Sequence, residues 1–361
     1  MIVVDSHQDL AWNILTFDRD YTRSVQETRR IEAAGLTPQR NGDSLLGWPE
    51  YQQGKIAIIF ATLFAAPIRH KLGDWDIFTY SNAKQAHGSY STQLDVYHKL
   101  VDEHPEKFYL VQSLQGLDTT LAAWENTSDP HPVGLVILME GAEGVQEPEQ
   151  LEDWWHRGVR IIGPAWAGTR YCGGTREPGP LTKEGFALLE HMAEFGITLD
   201  ISHMDEQAVL QALDVYPRSM IATHSNPQAL LKDSDTNRFL SDRVLAGLID
   251  RHGVVGIPPY NKFLCWEWEP KQGREVISLE LVADHIDYIC QLAGNANHVG
   301  IGTDFDGGFG LQSVPGEIDT IADLQKLVPL LEKRGYTDKD TAAIMGENWL
   351  RFLRESLPKS S

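Results

Sequence analysis

Basic residues are scarce in this chain of 361 residues, which carries 31 lysines and arginines against 51 aspartates and glutamates. The formal net charge of −20 argues against binding to nucleic acid or to an anionic membrane surface, since both would repel the protein. Long apolar runs are missing as well: no window approaches the roughly 20 apolar residues of a membrane-spanning helix, and mean hydropathy is −0.29. The composition therefore predicts a soluble, acidic, globular protein.

Cysteine is equally sparse. The three cysteines, Cys172, Cys265 and Cys290, lie far apart and lack the C-x-x-C spacing of a zinc or redox site. Their odd number and wide spacing indicate free thiols in a reducing compartment. The first residues, MIVVD, do not resemble a secretory signal, because no basic segment precedes a long apolar one. We therefore predict a cytoplasmic location; a mature protein whose leader had been removed would have the same features.

Short apolar runs alternate with longer amphipathic stretches along the whole chain, without an internal repeat or a linker. The runs cover residues 2–4, 55–64, 135–139, 159–162, 197–201, 220–222, 254–257 and 299–301. Several are continuously apolar or β-branched, which is typical of parallel strands covered on both faces. The clearest helical patterns between them cover residues 181–195, 206–213, 242–251 and 279–292.

Eight strands with helices between them predict an α/β fold of the (β/α)8 TIM barrel type, which takes about 250 residues plus insertions. We expect a single domain, 1–361, with the surplus residues inserted near 18–54 and 67–132. A doubly wound open sheet is the alternative, because alternation alone does not close a barrel. Residues 337–357 have the pattern of a closing helix packed on the outside.

The first apolar run ends with His7 and Asp9. In a barrel, catalytic groups lie where strands end and the following loops begin. Two positions apart on an extended strand, these side chains share one face and could bind one metal ion. The alternative is a half-exposed strand end at which both side chains make ordinary hydrogen bonds.

Glu140 follows the apolar residues of the third run and would be costly to bury without a cation or a hydrogen-bond donor. Its carboxylate has two oxygens and could bridge two metal ions; a salt-bridged glutamate is the alternative. His203 and His224 follow the fifth and sixth runs, which neighbour each other in a barrel. Neutral imidazole is the commonest metal ligand, although a single histidine at a strand end is more often structural.

The eighth run ends in Asp304, which shares a strand face with Gly300 and Gly302. The glycines leave space in front of this carboxylate, whereas Asp306 leads into a glycine pair and resembles a turn residue. A phosphate-binding loop is the alternative, but two carboxylates and no nearby lysine disfavour it.

Together, six positions at strand ends supply the donors that two zinc ions about 3.5–4 Å apart require. They are His7, Asp9, Glu140, His203, His224 and Asp304. Such a pair of ions lowers the pKa of a shared water to about 7 and polarises a carbonyl, while Asp304 shuttles the proton. The residues therefore predict a binuclear hydrolase.

At this point the sequence resembles the membrane (renal) dipeptidases, peptidase family M19 of the amidohydrolase superfamily. The motifs that carry the resemblance are DSHQD at 5–9, MEG at 139–141, GVR at 158–160, ISH at 201–203, THS at 223–225 and GTDFDG at 302–307. The resemblance implies that His7 and Asp9 bind one zinc ion and that Glu140 and a hydroxide bridge it to the second. His203 and His224 would complete the second ion's ligands.

The resemblance also assigns roles to residues around the metals. Asp304 would orient the attacking water and protonate the leaving amine. Arg238 matches a basic residue that grips the substrate carboxylate, for which a guanidinium fork is suited; a surface arginine on a loop is the alternative. A homodimer is implied as well.

Two positions depart from the family pattern. Trp166 stands where a histidine that contacts the substrate is expected, and Glu143 stands where the family often has another histidine. The main hypothesis is a zinc dipeptidase that cleaves dipeptides, including those with a D-residue at the C-terminal side. Because Trp166 would reshape the pocket, a lactone, a cyclic amide or an N-acyl amino acid is the alternative substrate. A non-catalytic metal-binding barrel is the third hypothesis.

Overall fold

The computed structural model describes residues 1–125 and 131–360, and in these residues eight parallel strands form the central sheet. The strands are β1 (Val3–Gln8), β2 (Ile56–Phe64), β3 (Val133–Glu140), β4 (Val159–Gly163), β5 (Thr198–Asp200), β6 (Met220–Ile221), β7 (Val255–Ile257) and β8 (Val299–Ile301). They pair in the order β6-β5-β4-β3-β2-β1-β8-β7. A parallel bridge between Ala222 and Val255 joins the two ends. The predicted (β/α)8 barrel is therefore confirmed, and the open-sheet alternative is wrong.

Every predicted apolar run overlaps a barrel strand, for a physical reason that β2 and β3 illustrate. All residues of both strands are buried, since barrel side chains cover one face and helices the other. The register pairs Phe64 with Glu140 at the carboxyl end of these strands. This pairing places an aromatic ring beside a carboxylate at the mouth of the barrel.

The helices surround the sheet. They cover Leu10–Phe17, Val25–Glu32, Thr37–Asn41, Trp48–Gly54, Ala83–Glu103, Leu114–Glu125, Leu151–His156, Lys183–Glu194, Glu206–Val215, Asp242–Asp250, Asn261–Leu264, Leu279–Ala293, Leu327–Lys333, Asp338–Ala342 and Asn348–Ser356. The helix predicted from residue 181 begins at Lys183, because the Thr182 side chain caps it by accepting from the Gly185 N–H. Within the described residues, no helix combines the length and the hydropathy of a membrane span.

The two long excursions lie between β1 and β2 and between β2 and β3. The second contains the 21-residue helix Ala83–Glu103 and a short strand, Phe108–Leu110, that pairs with β3. Residues 126–130, inside the predicted insertion 67–132, lie outside the described residues. The assignment of the whole chain to one domain stays a prediction.

The C-terminal segment is helical, as predicted, but it covers the amino end of the barrel, so its predicted position on the outside is wrong. It consists of two helices joined by a π-helical turn, Ala343–Glu347. Trp349 is fully buried, packs edge-on against Phe60 with ring centroids 5.3 Å apart, and donates from Nε1 to the Ile301 carbonyl at 3.0 Å. Gly300 makes room for it, since a Cβ there would overlap the indole.

Candidate metal centre

All six predicted donors lie at the carboxyl end of the barrel, close to the ends of their strands. They are His7 on β1, Asp9 just after it, Glu140 at the end of β3, His203 after β5, His224 after β6 and Asp304 after β8. Asp9 does not continue the extended strand, because β1 ends at Gln8 and Asp9 precedes the helix Leu10–Phe17. Its Oδ2 nevertheless lies 3.7 Å from His7 Nε2.

Glu140 Oε1 is the centre of this cluster. It lies 3.1 Å from His203 Nε2, 3.4 Å from His224 Nε2 and 3.8 Å from His7 Nε2. His7 Nε2 is also 3.9 Å from Asp304 Oδ1. Two ligand atoms, each about 2.1 Å from a tetrahedral zinc ion, lie roughly 3.4 Å apart. These separations therefore fit ligand atoms that share metal ions.

Several of these atoms are buried without a hydrogen-bond partner among the described residues. They are His7 Nε2, Asp9 Oδ1 and Glu140 Oε1. Burial of such groups is costly unless something compensates them, and a divalent cation compensates nitrogen and carboxylate donors together. Two overlapping groups in particular could hold an ion: His7 with Glu140 and His224, and His7 with Asp9 and Asp304. The residues present therefore fit a metal site.

The pKa shifts in the cluster favour metal binding. Burial lowers the pKa of His7 to about 3 and lowers the pKa of His203 and of His224 well below the ordinary value, so the imidazoles are neutral. Burial raises the pKa of Asp9 to about 7. Neutral imidazole is the form that coordinates metals, and a cation would relieve the burial of the carboxylates.

Two further carboxyl groups of the cluster are shifted in the same direction. Burial, and then the charge of Asp9, raises the pKa of Glu140 and of Asp304 well above the ordinary value. Without a cation, three neighbouring carboxylates in a buried space would disfavour one another's ionisation. The raised pKa values of these carboxyl groups and the short distances between the ligand atoms thus both favour a bound cation.

Thr223, which sequence reasoning missed, orients two of the histidines. Its Oγ1 donates to Asp200 Oδ2 at 2.6 Å and lies 3.0 Å from His224 Nδ1 and 3.4 Å from His7 Nδ1. Since the hydroxyl proton is directed at Asp200, its oxygen accepts from the Nδ1–H groups. The Nε2 lone pairs of both histidines then face the metal site. Thr175 Oγ1, 2.9 Å from His203 Nδ1, is placed to do the same there.

Asp304 and Asp306 follow β8 and adopt left-handed backbone conformations, with φ of +56° and +63°. The Asp304 backbone N–H donates to the His7 carbonyl, which ties β8 to the end of β1. A Cβ at Gly307 would overlap Asp304 Oδ1, so the glycine gives this carboxylate its space. Asp306 does more than form a turn: it is fully buried and accepts from Ser44 Oγ, the Leu45 N–H and Arg19, which anchors the first excursion.

Arg238 is 4% exposed, so the alternative of a surface arginine is wrong. Its Nη1 donates to the Ser202 carbonyl at 2.6 Å and to Ser225 Oγ at 2.9 Å, and its Nη2 donates to the His224 carbonyl at 2.5 Å. Its Nε has no partner among the described residues. Burial lowers its pKa to about 10, which leaves it protonated at neutral pH. A buried cation with a free donor therefore lines the site.

A cavity of about 750 Å³ opens in front of these residues. Its lining includes Asp9, Glu140, His203, His224, Arg238 and Asp304 together with a set of aromatic residues, Trp12, Phe64, Trp166, Tyr260, Phe263, Trp266 and Phe309. Trp166 forms part of the wall, with its ring 5.2 Å from Phe64 and 6.1 Å from His203. Glu143 is not part of this lining; its Oε2 accepts from the Arg170 N–H.

Comparison with known proteins identifies the family of this chain. The family model Membrane dipeptidase (Peptidase family M19) matches residues 1–359. An uncharacterized protein in the pqqA 5′ region of Klebsiella pneumoniae is 31% identical over 240 residues, which cover 64% of this chain and 84% of that protein. An uncharacterized dipeptidase of Schizosaccharomyces pombe is 25% identical over 367 residues, which cover 98% of this chain and 80% of that protein.

The fold is also found among solved structures. A metallo peptidase from Rhodobacter sphaeroides, liganded with a phosphinate mimic of the dipeptide L-Ala-D-Ala, superposes with a TM-score of 0.78. It is 23% identical in sequence, and the match covers 99% of each chain. Because the family model spans nearly the whole sequence, the chain belongs to the membrane dipeptidase family, peptidase family M19, and is a metal-dependent hydrolase.

Proposed function

We propose that this enzyme is a binuclear zinc dipeptidase that hydrolyses the peptide bond of dipeptides, including those with a D-residue at the C-terminal side. The observation that carries the proposal is the convergence of buried, unpartnered donor atoms beside a buried arginine. Among the described residues, His7 Nε2, Asp9 Oδ1, Glu140 Oε1 and Arg238 Nε lack hydrogen-bond partners, and Asp9, Glu140 and Arg238 line the same cavity. A pair of metal ions would compensate the unpartnered ligand atoms, and a substrate carboxylate would accept a hydrogen bond from the arginine.

In this proposal His7 and Asp9 would hold one zinc ion, His203 and His224 would hold the other, and Glu140 would be a ligand shared by both. Two zinc ions supply Lewis acidity for the scissile carbonyl and acidify a water that they share. The neutral imidazoles direct their Nε2 atoms at this space because Thr223 and Thr175 occupy the Nδ1 side. The protein therefore contributes ligands that are already oriented.

Asp304 is the proposed catalytic acid and base. Its carboxylate lies within 3.9 Å of His7 Nε2, at the edge of the proposed metal site and in the wall of the cavity. It would accept a proton from the attacking water and then donate it to the leaving amine. Its raised pKa suits a group that must hold a proton during the reaction.

Arg238 would bind the α-carboxylate of the substrate. Its bonds to two carbonyls and a hydroxyl fix the guanidinium in place, which leaves Nε as a donor for a substrate oxygen. The cavity of about 750 Å³ is large enough for a dipeptide. The dipeptide mimic bound by the Rhodobacter sphaeroides metallo peptidase supports L,D dipeptides as substrates to test.

A second candidate keeps the site and changes the substrate to an N-acyl amino acid, a cyclic amide or a lactone. The position of Trp166 in the cavity wall, 6.1 Å from His203, favours it. An indole donates one hydrogen bond and cannot become charged, so it cannot replace every role of an imidazole. The two candidates differ in the substrate they turn over and share the metal chemistry.

The experiment that tests the proposal is hydrolysis of L,L and L,D dipeptide libraries by protein loaded with zinc, with released amine as the readout. We expect two zinc ions per chain by elemental analysis and loss of activity on chelation that zinc reverses. A circular dichroism spectrum that chelation leaves unchanged would control for unfolding. Two bound ions without hydrolysis of any dipeptide would contradict the proposal and direct the assay to the second candidate.

Two assignments outside the site accompany the proposal. A homodimer is proposed from the family resemblance, and sedimentation velocity tests it. A cytoplasmic location is proposed from the three cysteines, all of which are free; fractionation of the source cell tests that.

A further inference from the structure

We propose that Arg176 binds a second carboxylate of the substrate, so that this enzyme favours dipeptides with an aspartate or glutamate side chain. The inference rests on the proposed dipeptidase function and extends it to a class of substrate. Its basis is a guanidinium that is held at the cavity by its backbone but is not paired with an acidic residue.

Arg176 lies at the tip of a hairpin formed by Cys172–Gly174 and Glu177–Leu181. The preceding residue, Thr175, donates its N–H to the Trp166 carbonyl at 2.9 Å, and its hydroxyl contacts His203 Nδ1. The tip of the hairpin is therefore attached to one of the proposed metal ligands.

A second segment holds the tip from the other side. The Arg176 N–H donates to Asn237 Oδ1 at 3.0 Å, and Asn237 Nδ2 donates to the Gly174 carbonyl at 2.9 Å. Asn237 directly precedes Arg238, so one short segment fixes the backbone of Arg176 and also supplies the buried arginine. This segment therefore ties the position of the Arg176 backbone to that of Arg238.

The Arg176 side chain is exposed and lines the cavity, with its guanidinium carbon 5.9 Å from the centre of the Trp166 ring. Stacking on an indole holds the planar guanidinium and leaves the donors on its edge available. Among the described residues, no carboxylate lies within ion-pair distance of it. The neighbouring Glu177 is paired instead with Arg69 at 2.5 Å and with His70 at 2.9 Å.

The backbone conformation of Arg176 is an independent reason to propose that its side chain binds substrate. Its φ of +69° lies in the left-handed region, which glycine and asparagine adopt most easily in turns. A long cationic side chain brings no conformational advantage at such a position. An arginine at this position is explained if its guanidinium binds a substrate in the cavity.

Arg238 cannot take both carboxylates of an acidic dipeptide. Its two terminal nitrogens already donate to three protein oxygens, so its remaining capacity suits one carboxylate. Asp235 also lines the cavity, but it repels acidic substrates and cannot explain a preference for them. We therefore assign the α-carboxylate of the substrate to Arg238 and its side-chain carboxylate to Arg176.

Matched isosteric dipeptides test this inference on the zinc-loaded enzyme. Each contains alanine and one variable residue, Glu or Gln and Asp or Asn, at the N-terminal or the C-terminal position. We expect kcat/KM at one of the two positions to be about tenfold higher for the acid than for its amide, mainly through KM, as for a charged hydrogen bond. Equal kcat/KM for acid and amide at both positions would overturn the inference.

The variant Arg176→Met should remove this preference, so that kcat/KM for each acid equals that for its amide, whereas Arg176→Lys should retain part of the preference. Arg30→Met is the matched control, because Arg30 is an exposed arginine on the helix Val25–Glu32 and does not line the cavity. It removes the same charge and should keep the preference. An acid preference that survives Arg176→Met would overturn the inference.

The outcomes separate this inference from the proposed function. Hydrolysis of the amide dipeptides without selection for acids leaves the dipeptidase function intact and removes the role of Arg176. Absence of hydrolysis of every dipeptide by protein with two bound zinc ions overturns the proposed function, and this inference with it. The metal content and the circular dichroism spectrum of each variant show whether it is folded and loaded with zinc like the wild type.

Discussion

The two ends of the barrel are built from the same strands but differ in how their polar atoms are satisfied. At the carboxyl end, His7 Nε2, Asp9 Oδ1 and Glu140 Oε1 are buried and have no hydrogen-bond partner in the part of the chain that the structure describes. At the amino end, Trp349 Nε1 donates to a barrel carbonyl, and Asn348 Nδ2 donates to the Ala296 and Val299 carbonyls. The carboxyl end therefore offers unpartnered donor atoms to a ligand, whereas Trp349 and Asn348 at the amino end pair with backbone carbonyls.

This difference indicates where the chain carries stability and where it carries chemistry. Apolar packing of Trp349 and Phe352 on Phe60 closes the amino end and stabilises the barrel. The carboxyl end keeps charged groups in a buried space, which costs stability until a metal compensates them. Division of a (β/α)8 barrel into a stable end and a reactive end is general for this fold.

The contrast is sharpest between Asp304 and Asp306, which lie two residues apart. We expect Asp304→Asn to lower kcat by roughly 10²–10⁴-fold, the range for loss of a general acid or base, with zinc content and melting temperature unchanged. Asp306→Asn is the matched control, since that carboxylate anchors the first excursion through Ser44 and Leu45. It should lower the melting temperature and leave the kcat of the folded protein nearly unchanged. Full activity in Asp304→Asn would remove Asp304 from its role.

A substitution at the amino end of the barrel should lower stability without changing the metal site. Trp349→Ala should lower the free energy of unfolding by about 3–5 kcal/mol, because it deletes a fully buried indole and leaves a cavity beside Phe60. Urea denaturation followed by circular dichroism measures the loss. Trp349→Phe should cost less, since it keeps an aromatic ring in the same space. A change of zinc content in folded Trp349→Ala protein would contradict the separation of the two ends.

Thr223 connects the metal ligands to the barrel and offers a subtler test. Thr223→Val keeps the shape but removes the hydroxyl between Asp200 and the Nδ1 atoms of His7 and His224. We expect zinc affinity to fall about 10–100-fold, as for other groups that orient metal ligands. Competition with a chelator of known affinity measures this. Thr223→Ser should bind zinc nearly as tightly as the wild type, and equal affinity in Thr223→Val would exclude the orienting role.

The sequence predicted the barrel strands and the donor residues because both depend on local pattern. An apolar run predicts a strand, and a histidine or carboxylate directly after it predicts a side chain at the mouth of the barrel. Arg238 was predicted from the family resemblance, but its burial was not, because burial depends on contacts with Ser202 and Ser225 far from it along the chain.

Other features depend on packing between distant segments and left no local signal. The hairpin that brings Thr175 to His203 gives no sign in its sequence of which loop it will cover. The aromatic residues of the cavity resemble core residues when read along the chain. The segment 337–357, which contains Trp349, was predicted as an outer helix, because its amphipathic pattern does not say which apolar surface it covers. Thr223 had a weak signal, since it directly precedes His224.

Trp166 should give the smallest effect and the finest comparison within the carboxyl end. Trp166→His removes the indole that packs on Phe64, so kcat/KM should fall a few-fold for dipeptides with bulky apolar side chains, which lose contact surface, and change little for small ones. Trp75→His is the matched control, because Trp75 packs in the same aromatic cluster through Phe17 but does not line the cavity. If Trp166→His leaves the whole dipeptide profile unchanged while zinc content is constant, the indole does not set specificity. The reason for a substrate other than a dipeptide then disappears, since the position of Trp166 is the observation that favours one.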